Sequence, residues 1–290
     1  MPARRDIVWD METGDPDDFL TLLLLLGHPG VNLLAVTVTP GAPDQVGLVR
    51  RALSWFDRDI PVGAHNIDHP KRCVSAWHYR AYGDIPLSSE AEPAAPLLAS
   101  LCGPATTLVT GGPPKNLGEA VAQEGFALGC WVGQGGFAGE GVVPREQQLP
   151  AFKGLSVCPS FNFNGAPHAA LAALASPAIG KRLLVSKNVC HGVIYDTALH
   201  EQVGAVKDRS LSLRLIWQGM DAYLRRHHAG KKLHDPLAAC CAIDPAIGTW
   251  QEVEVFHERG GWGARKAIGT RTWVITGYDP ARFVSVLTAV

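Results

Sequence analysis

Short apolar runs and longer mixed ones alternate along the chain. "DIVW" near the start and "VNLLAVTVT" at 31–39 predict buried strands, and the apolar stretch between them predicts a helix ended by "GHPG" at 27–30. A strand–helix–strand unit of this length suits a parallel crossover. The pattern continues with a helix over "GLVRRALSWF", a short strand at "IPVGAH", and a strand at "ATTLVTGG" that runs into a glycine–proline turn. "NLGEAVAQ" predicts a helix, "ALGCWVGQGG" a strand with a glycine turn, "APHAALAALAS" a helix and "KRLLVSKNV" a strand. Helices follow at "SLSLRLIWQGMDAYLRRHH" and "HDPLAACCAID", then strands at "TWQEVEVFHE" and "RTWVITGY", and a last helix at "DPARFVSVLTAV".

This alternation, with no Ser/Gly linker and no repeat, predicts an α/β fold: a single doubly wound, mostly parallel sheet with helices on both faces, spanning residues 1–290 as one domain. Residues 63–100 and 137–160 are Pro/Gly-rich and weakly periodic, and are expected to be long loops over a ligand site.

Composition narrows the function classes. The 290 residues are 47% hydrophobic, and 26 Lys+Arg against 27 Asp+Glu give a net charge of -1. No basic excess or run points to nucleic acid or a membrane surface. The 7 cysteines are scattered without a C-x-x-C pair, which argues against zinc and disulfide frameworks and for reduced thiols in a cytoplasmic protein. "MPARRDIVWD" has no signal-like apolar core, and the leucine run at 22–26 is far short of the roughly 20 residues that cross a bilayer. A soluble protein is expected.

Chemistry concentrates at "DMETGDPDD". Asp10, Glu12, Asp15, Asp17 and Asp18 fall within nine residues, between a buried strand and a buried helix. Asp15 suits the helix N-cap, Pro16 the first helical position, and Asp17 and Asp18 the first turn. Capping uses one such residue or two. Carboxylates this close raise one another's pKa unless a cation neutralises them, and all-oxygen ligands favour Ca²⁺ or Mg²⁺. Asp10 and Glu12 alternate around Met11 and are expected to share a face. In an open α/β sheet the ligand lies beyond the carboxyl ends of the strands, where "DMETGDPDD", "TLVTGGPP", "WVGQGG" and "VSKNVCH" all fall.

Further candidates lie downstream. His234 and Asp235 open the helix of "HDPLAACCAID", as N-cap and solvent-facing neighbour or as site residues. Asn162 and Asn164 alternate around Phe163, and are expected either to present two amides to sugar hydroxyls or to form an Asn-Gly turn. His78, between Trp77 and Tyr79, is placed to stack on a ring.

Together these elements resemble the inosine-uridine preferring nucleoside hydrolase family. "DMETGDPDD" looks like its opening Asp-x-Asp, Gly turn and Asp-Asp. The region ending in "FNFN" is similar to its Glu-Phe-Asn segment, "NVCH" to its Asp-Val-Thr-His, and "HDPLA" matches outright, all in family order. The resemblance implies Ca²⁺-dependent hydrolysis of the N-glycosidic bond of a nucleoside or nucleoside-like ribosyl compound, by attack of a metal-bound water on the anomeric carbon. It implies metal binding by Asp18, Asp235 and the carbonyl near Gly111, with Glu12 as water-activating base and ligand and Asp10 as a further ligand. Asp17 would hold a ribose hydroxyl, His234 would protonate the leaving base, and His78 would flank that base. A homodimer or homotetramer is implied.

The chain also departs from the pattern. Its acidic turn is one residue longer, Glu12 stands where the family has Asp, Ala42 follows Gly41 where the family has Asn, and Asn162 takes the place of the Glu in Glu-Phe-Asn. A neutral Asn162 would tolerate a negative 5′ substituent. These departures motivate the alternative of a non-catalytic ribosyl-ligand binding protein that keeps the metal site. A haloacid-dehalogenase-like phosphohydrolase is a third reading, but "DMETG" fits its nucleophile motif poorly and "HDPLA" has no place in it.

Overall fold

A computed structural model describes residues 4–289. The strands are β1 (Arg5–Met11), β2 (Val31–Val38), β3 (Val62–Ala64), β4 (Glu92–Pro93), β5 (Thr107–Thr110), β6 (Leu128–Gln134), β7 (Val157–Cys158), β8 (Ile179–Val185), β9 (Ile194–Tyr195), β10 (Lys231–Lys232), β11 (Gly248–Glu258), β12 (Gly261–Lys266) and β13 (Thr272–Tyr278). The helices are α1 (Pro16–Gly27), α2 (Pro43–Trp55), α3 (Ala76–Tyr82), α4 (Ala94–Leu101), α5 (Lys115–Ala120), α6 (Phe161–Gly165), α7 (Pro167–Ala175), α8 (Lys187–Cys190), α9 (Thr197–Val206), α10 (Leu211–Leu224), α11 (His234–Ile243) and α12 (Pro280–Leu287).

Eleven strands form one sheet in the order β4-β3-β2-β1-β5-β6-β8-β13-β11-β12-β7. From β4 to β13 every neighbouring pair is parallel; β11, β12 and β7 extend one end antiparallel. The expected α/β, mostly parallel sheet with helices on both faces is therefore the fold. On β1, Ile7, Val8, Trp9 and Met11 are all fully buried, as a central parallel strand covered on both sides requires. Ile7, Trp9 and Met11 meet a core shared with α1, α2, α3, α10, α11 and α12, whereas Val8 faces a second core with α4, α5 and α7. Every residue of α1 from Pro16 to Leu26 is buried, because the sheet, α10 and α11 enclose it; a helix apolar all round belongs in such a place.

Two expectations need correction. Residues 63–100 are not a long loop but contain β3, α3, β4 and α4. Pro86, Pro93 and Pro96 punctuate this segment and mask the helical period. The strand expected over "KRLLVSKNV" ends at Val185, and Lys187–Cys190 coils into α8. Residues 137–160 do lack long elements, holding two 3₁₀ turns and β7. No helix among the described residues is long and apolar enough to cross a membrane.

Candidate functional site

The chain runs outward from β1 through β2 and β3 to β4, then returns to place β5 on the other side of β1. This reversal is a topological switch point, where open α/β sheets form a crevice at the carboxyl ends of their strands. The Gly111 N–H donates to the Asp10 carbonyl at 2.8 Å, tying the two strand ends together. Above them lies a cavity of about 510 Å³. The acidic turn and Gly111 supply one side, α11 contributes His234 and Asp235, and Gln134, Ser160–Asn162, Lys187 and His191 complete the lining.

Within it, oxygens of Asp17, Asp18 and Asp235 lie within 4.8 Å of one another, and all three residues are buried. Asp18 Oδ1 accepts the Glu12 N–H at 3.0 Å, which folds the acidic turn back onto the helix start. Asp17 Oδ2 accepts the N–H of His234 at 2.9 Å and of Asp235 at 3.3 Å, so the start of α1 holds the start of α11. Lys231 Nζ lies 2.9 Å from Asp17 Oδ1 and 2.9 Å from Asp15 Oδ2. Asp235 Oδ1 is buried with no hydrogen-bond partner, and no Cβ would fit at Gly111, where it would sit 2.9 Å from Asp235 Cγ. Carboxylates alone, one of them with an unpartnered buried oxygen beside a backbone that must stay bare, fit a hard cation such as Ca²⁺.

The electrostatics agree. Burial, and then the charge of Asp235, hold Asp18 well above the usual carboxylate range; burial and Asp17 do the same to Asp235. Burial with Asp15 and Asp17 pushes Glu12 up to about 7. Burial also works against ionisation of Asp17, but the Lys231 ammonium outweighs it and keeps that carboxyl low. One lysine thus neutralises one end of the cluster and leaves the other end short of positive charge.

The expected site residues fall into two groups. Glu12, Asp17, Asp18, Gly111, Asn162, His234 and Asp235 come together around the cavity. Asp10, His78 and Asn164 do not line it. Asp10 belongs to the strand proper: its Oδ1 accepts from Thr37 Oγ1 at 2.7 Å and from Asn116 Nδ2 at 2.7 Å, and its Oδ2 is buried without a hydrogen-bond partner. His78 is fully buried on α3, its ring 5.5 Å from that of Phe19 and 4.7 Å from that of Trp77 in edge-to-face contacts, so it packs in the core and not on a ligand. Asn162 and Asn164 do not point one way, because residues 161–165 are helical and two positions along a helix diverge. Asn164 instead donates to the Gly260 carbonyl at 2.7 Å and accepts from Trp262 Nε1 at 2.9 Å.

Asn162 Nδ2 donates to the Gly111 carbonyl and to Gln134 Oε1, each at 2.6 Å. The triplet facing the cavity is therefore Ser160-Phe161-Asn162, two places earlier than the match of Glu-Phe-Asn to "NFN". Asp15 occupies the N-cap position of α1 without a capping bond, since its carboxylate pairs with Lys231. Sequence reasoning missed Lys231, Lys187, Gln134, Ser160 and Phe161. Only Gln134, a polar residue closing an apolar strand before Gly-Gly, carried a local signal.

An α/β sheet with a carboxylate-lined crevice at its switch point is the arrangement of a ligand-binding α/β fold. The inosine-uridine preferring nucleoside hydrolase family model matches residues 7–285, and the chain belongs to that family. An uncharacterised protein of Aquifex aeolicus (strain VF5) is 28% identical over 272 residues, covering 90% of this chain and 91% of that one. A plant nucleoside hydrolase superposes with a TM-score of 0.73 at 20% identity, over 98% of both chains. An inosine-guanosine nucleoside hydrolase gives 0.73 at 18%, over 99% and 98% of the two chains. The inosine-uridine preferring nucleoside hydrolase of Bacillus anthracis gives 0.71 at 18%, over 98% of both. At these identities the superpositions establish the shared fold.

Proposed function

We propose that this protein hydrolyses the N-glycosidic bond of a nucleoside or nucleoside-like ribosyl compound, using Ca²⁺ held by Asp18, Asp235 and the Gly111 carbonyl. The observation that carries the reading is the convergence of buried Asp17, Asp18 and Asp235 at the switch point of a nucleoside hydrolase family fold. A cation there would acidify a water and take the vicinal hydroxyls of a ribose.

The chain's own groups do the rest. Glu12, raised to about 7 by burial and its acidic neighbours, accepts the proton of the attacking water; cation binding lowers that value and keeps the base ionised. Asp17 fixes the first turn of α11, and with it His234 and Asp235. His234 Nδ1 lies 3.2 Å from Cys190 Sγ, which leaves Nε2 free to donate a hydrogen bond to the departing base. Burial lowers the His234 pKa to about 4, so the imidazole is neutral near pH 7; it steadies the departing base by a hydrogen bond from its N–H, and the base takes its proton from solvent.

The test is release of free base from a panel of nucleosides with Ca²⁺ and with chelator. Chelator-sensitive release supports the reading. A second reading, a ribosyl-binding protein without hydrolysis, draws on Asp17, whose two oxygens are already taken by Lys231, His234 and Asp235. Calcium-dependent ribose binding with no base released would favour it.

A further inference from the structure

Part of the cavity lining carries no carboxylate. Gln134, Gly136, Ser160, Phe161, Lys187 and His191 form it, and none of them is acidic. Lys187 opens α8 with Nζ 2.7 Å from the Pro159 carbonyl oxygen and 5.6 Å from the centre of the Phe152 ring. These contacts steady the ammonium and use one of its three protons. Among the described residues no carboxylate pairs with it. Lys232 adds positive charge behind the same wall, its Nζ 3.4 Å from His191 Nδ1.

Ser160 follows Pro159 and is buried. Its Oγ accepts the Gly136 N–H at 2.9 Å, which leaves the hydroxyl proton available to the cavity. A steadied ammonium beside a free hydroxyl donor is a receptor for anionic oxygens, and charge-assisted bonds of this kind are about twice as strong as neutral ones.

Given the ribosyl reading above, on which this step rests, a sugar held through its vicinal hydroxyls has two remaining substituents. The reading gives the leaving base to His234, whose ring lies 4.9 Å from that of His191, and leaves the Lys187 and Ser160 part of the lining to the substituent on C5′. We infer that the ligand carries a phosphate on its ribose 5′ oxygen, received by the Lys187 ammonium and the Ser160 hydroxyl. The basis is Lys187 and not Asn162, whose amide is committed to Gly111 and Gln134.

The experiment is calorimetric titration of the whole chain, in saturating Ca²⁺, with D-ribose 5-phosphate and with D-ribose. It is run on the wild type, Lys187→Met and Lys187→Arg. The phosphate is expected to bind at least ~10-fold tighter than the free sugar in the wild type. That ratio is expected to fall below about 3 in Lys187→Met and to survive largely in Lys187→Arg. Absence of a phosphate preference in the wild type, failure of both sugars to bind, or a ratio unchanged by Lys187→Met overturns the assignment. So does tighter binding of a nucleoside with a carboxylated base than of a nucleoside 5′-monophosphate, which would move the anion to the leaving group. Base release is scored separately. Lys187-dependent phosphate binding without base release would sink the hydrolytic reading and leave this one standing.

Discussion

Lys231 Nζ lies 2.9 Å from Asp17 Oδ1, and both side chains are buried, at 5% and 2% exposure. The remaining protons of the ammonium go to Asp15 Oδ2 at 2.9 Å and the Lys232 carbonyl at 2.8 Å. Burial opposes the charge on Lys231, but Asp17 and Asp15 outweigh it and raise its pKa. This lysine is a fixed cation at one end of the carboxylate cluster, and a bound metal would be the mobile one at the other.

Lys231→Met tests that division. Breaking a buried pair from one side leaves a charge uncompensated, which costs about 3–5 kcal/mol. Urea unfolding in chelator is expected to register a loss of this size, and Ca²⁺ to return part of it. A loss under about 1 kcal/mol in chelator would mean that the acidic residues simply protonate and the lysine is dispensable.

Calcium itself is expected to stabilise the wild type, by about 2.7 kcal/mol at a hundred times its dissociation constant. Asp235→Asn is expected to weaken Ca²⁺ binding by ~100-fold or more, since it replaces the residue whose Oδ1 has no other partner. Titration followed by calorimetry reads both effects. Equal stabilisation of wild type and variant would place the ion elsewhere.

Glu12→Gln keeps the size of the side chain and removes its basicity. If Glu12 accepts the proton of the attacking water, kcat falls by about 10²–10⁴ while the fold is unchanged. A variant within a few-fold of the wild type would pass the role to another carboxylate of the cavity lining.

The fold was legible because its determinants are local and repeated: apolar strands, capped helices and glycine turns announce themselves within a few residues. The carboxylate cluster was legible for a related reason, as Glu12, Asp17 and Asp18 are near neighbours in sequence and Asp235 opens a helix beside a proline. The basic groups were not. Lys231 and Asp15 meet across 216 positions, and Lys187 reaches Pro159 across 28; no local pattern encodes either meeting. The common direction expected of the two asparagines fails because a five-residue helix is too short to show its period, and alternation around Phe163 mimics a strand. His78 was misplaced for the opposite reason: its helix was hidden by flanking prolines, so its aromatic neighbours looked available when they are core.

His78 carries a pH dependence with a definite sign. Burial lowers its pKa from 6.5 to about 4. Between those values the unfolded chain binds a proton that the folded chain refuses, so stability rises with pH across the window. The contribution is complete above about pH 6.5, is lost as pH falls toward 4, and amounts to about 3 kcal/mol. Urea unfolding from pH 4.5 to 7.5 is expected to show a shallower rise for His78→Gln than for the wild type. Parallel curves would mean that the ring is protonated in the fold.

Gly111 joins the site to the core behind it. A Cβ there would lie 2.4 Å from Trp9 Cη2 and 2.9 Å from Asp235 Cγ. Trp9 is fully buried in the central strand and has nowhere to retreat, so Asp235 must give way. Gly111→Ala is therefore expected to cost about 1–3 kcal/mol through overpacking, and to weaken Ca²⁺ by roughly tenfold as Asp235 shifts. Gly112→Ala is the control, since its nearest contact would be 3.4 Å, to Glu12, and it is expected to leave calcium affinity in place. Were Gly111→Ala to lose stability and keep its calcium affinity, Asp235 would be packing the core rather than binding the ion.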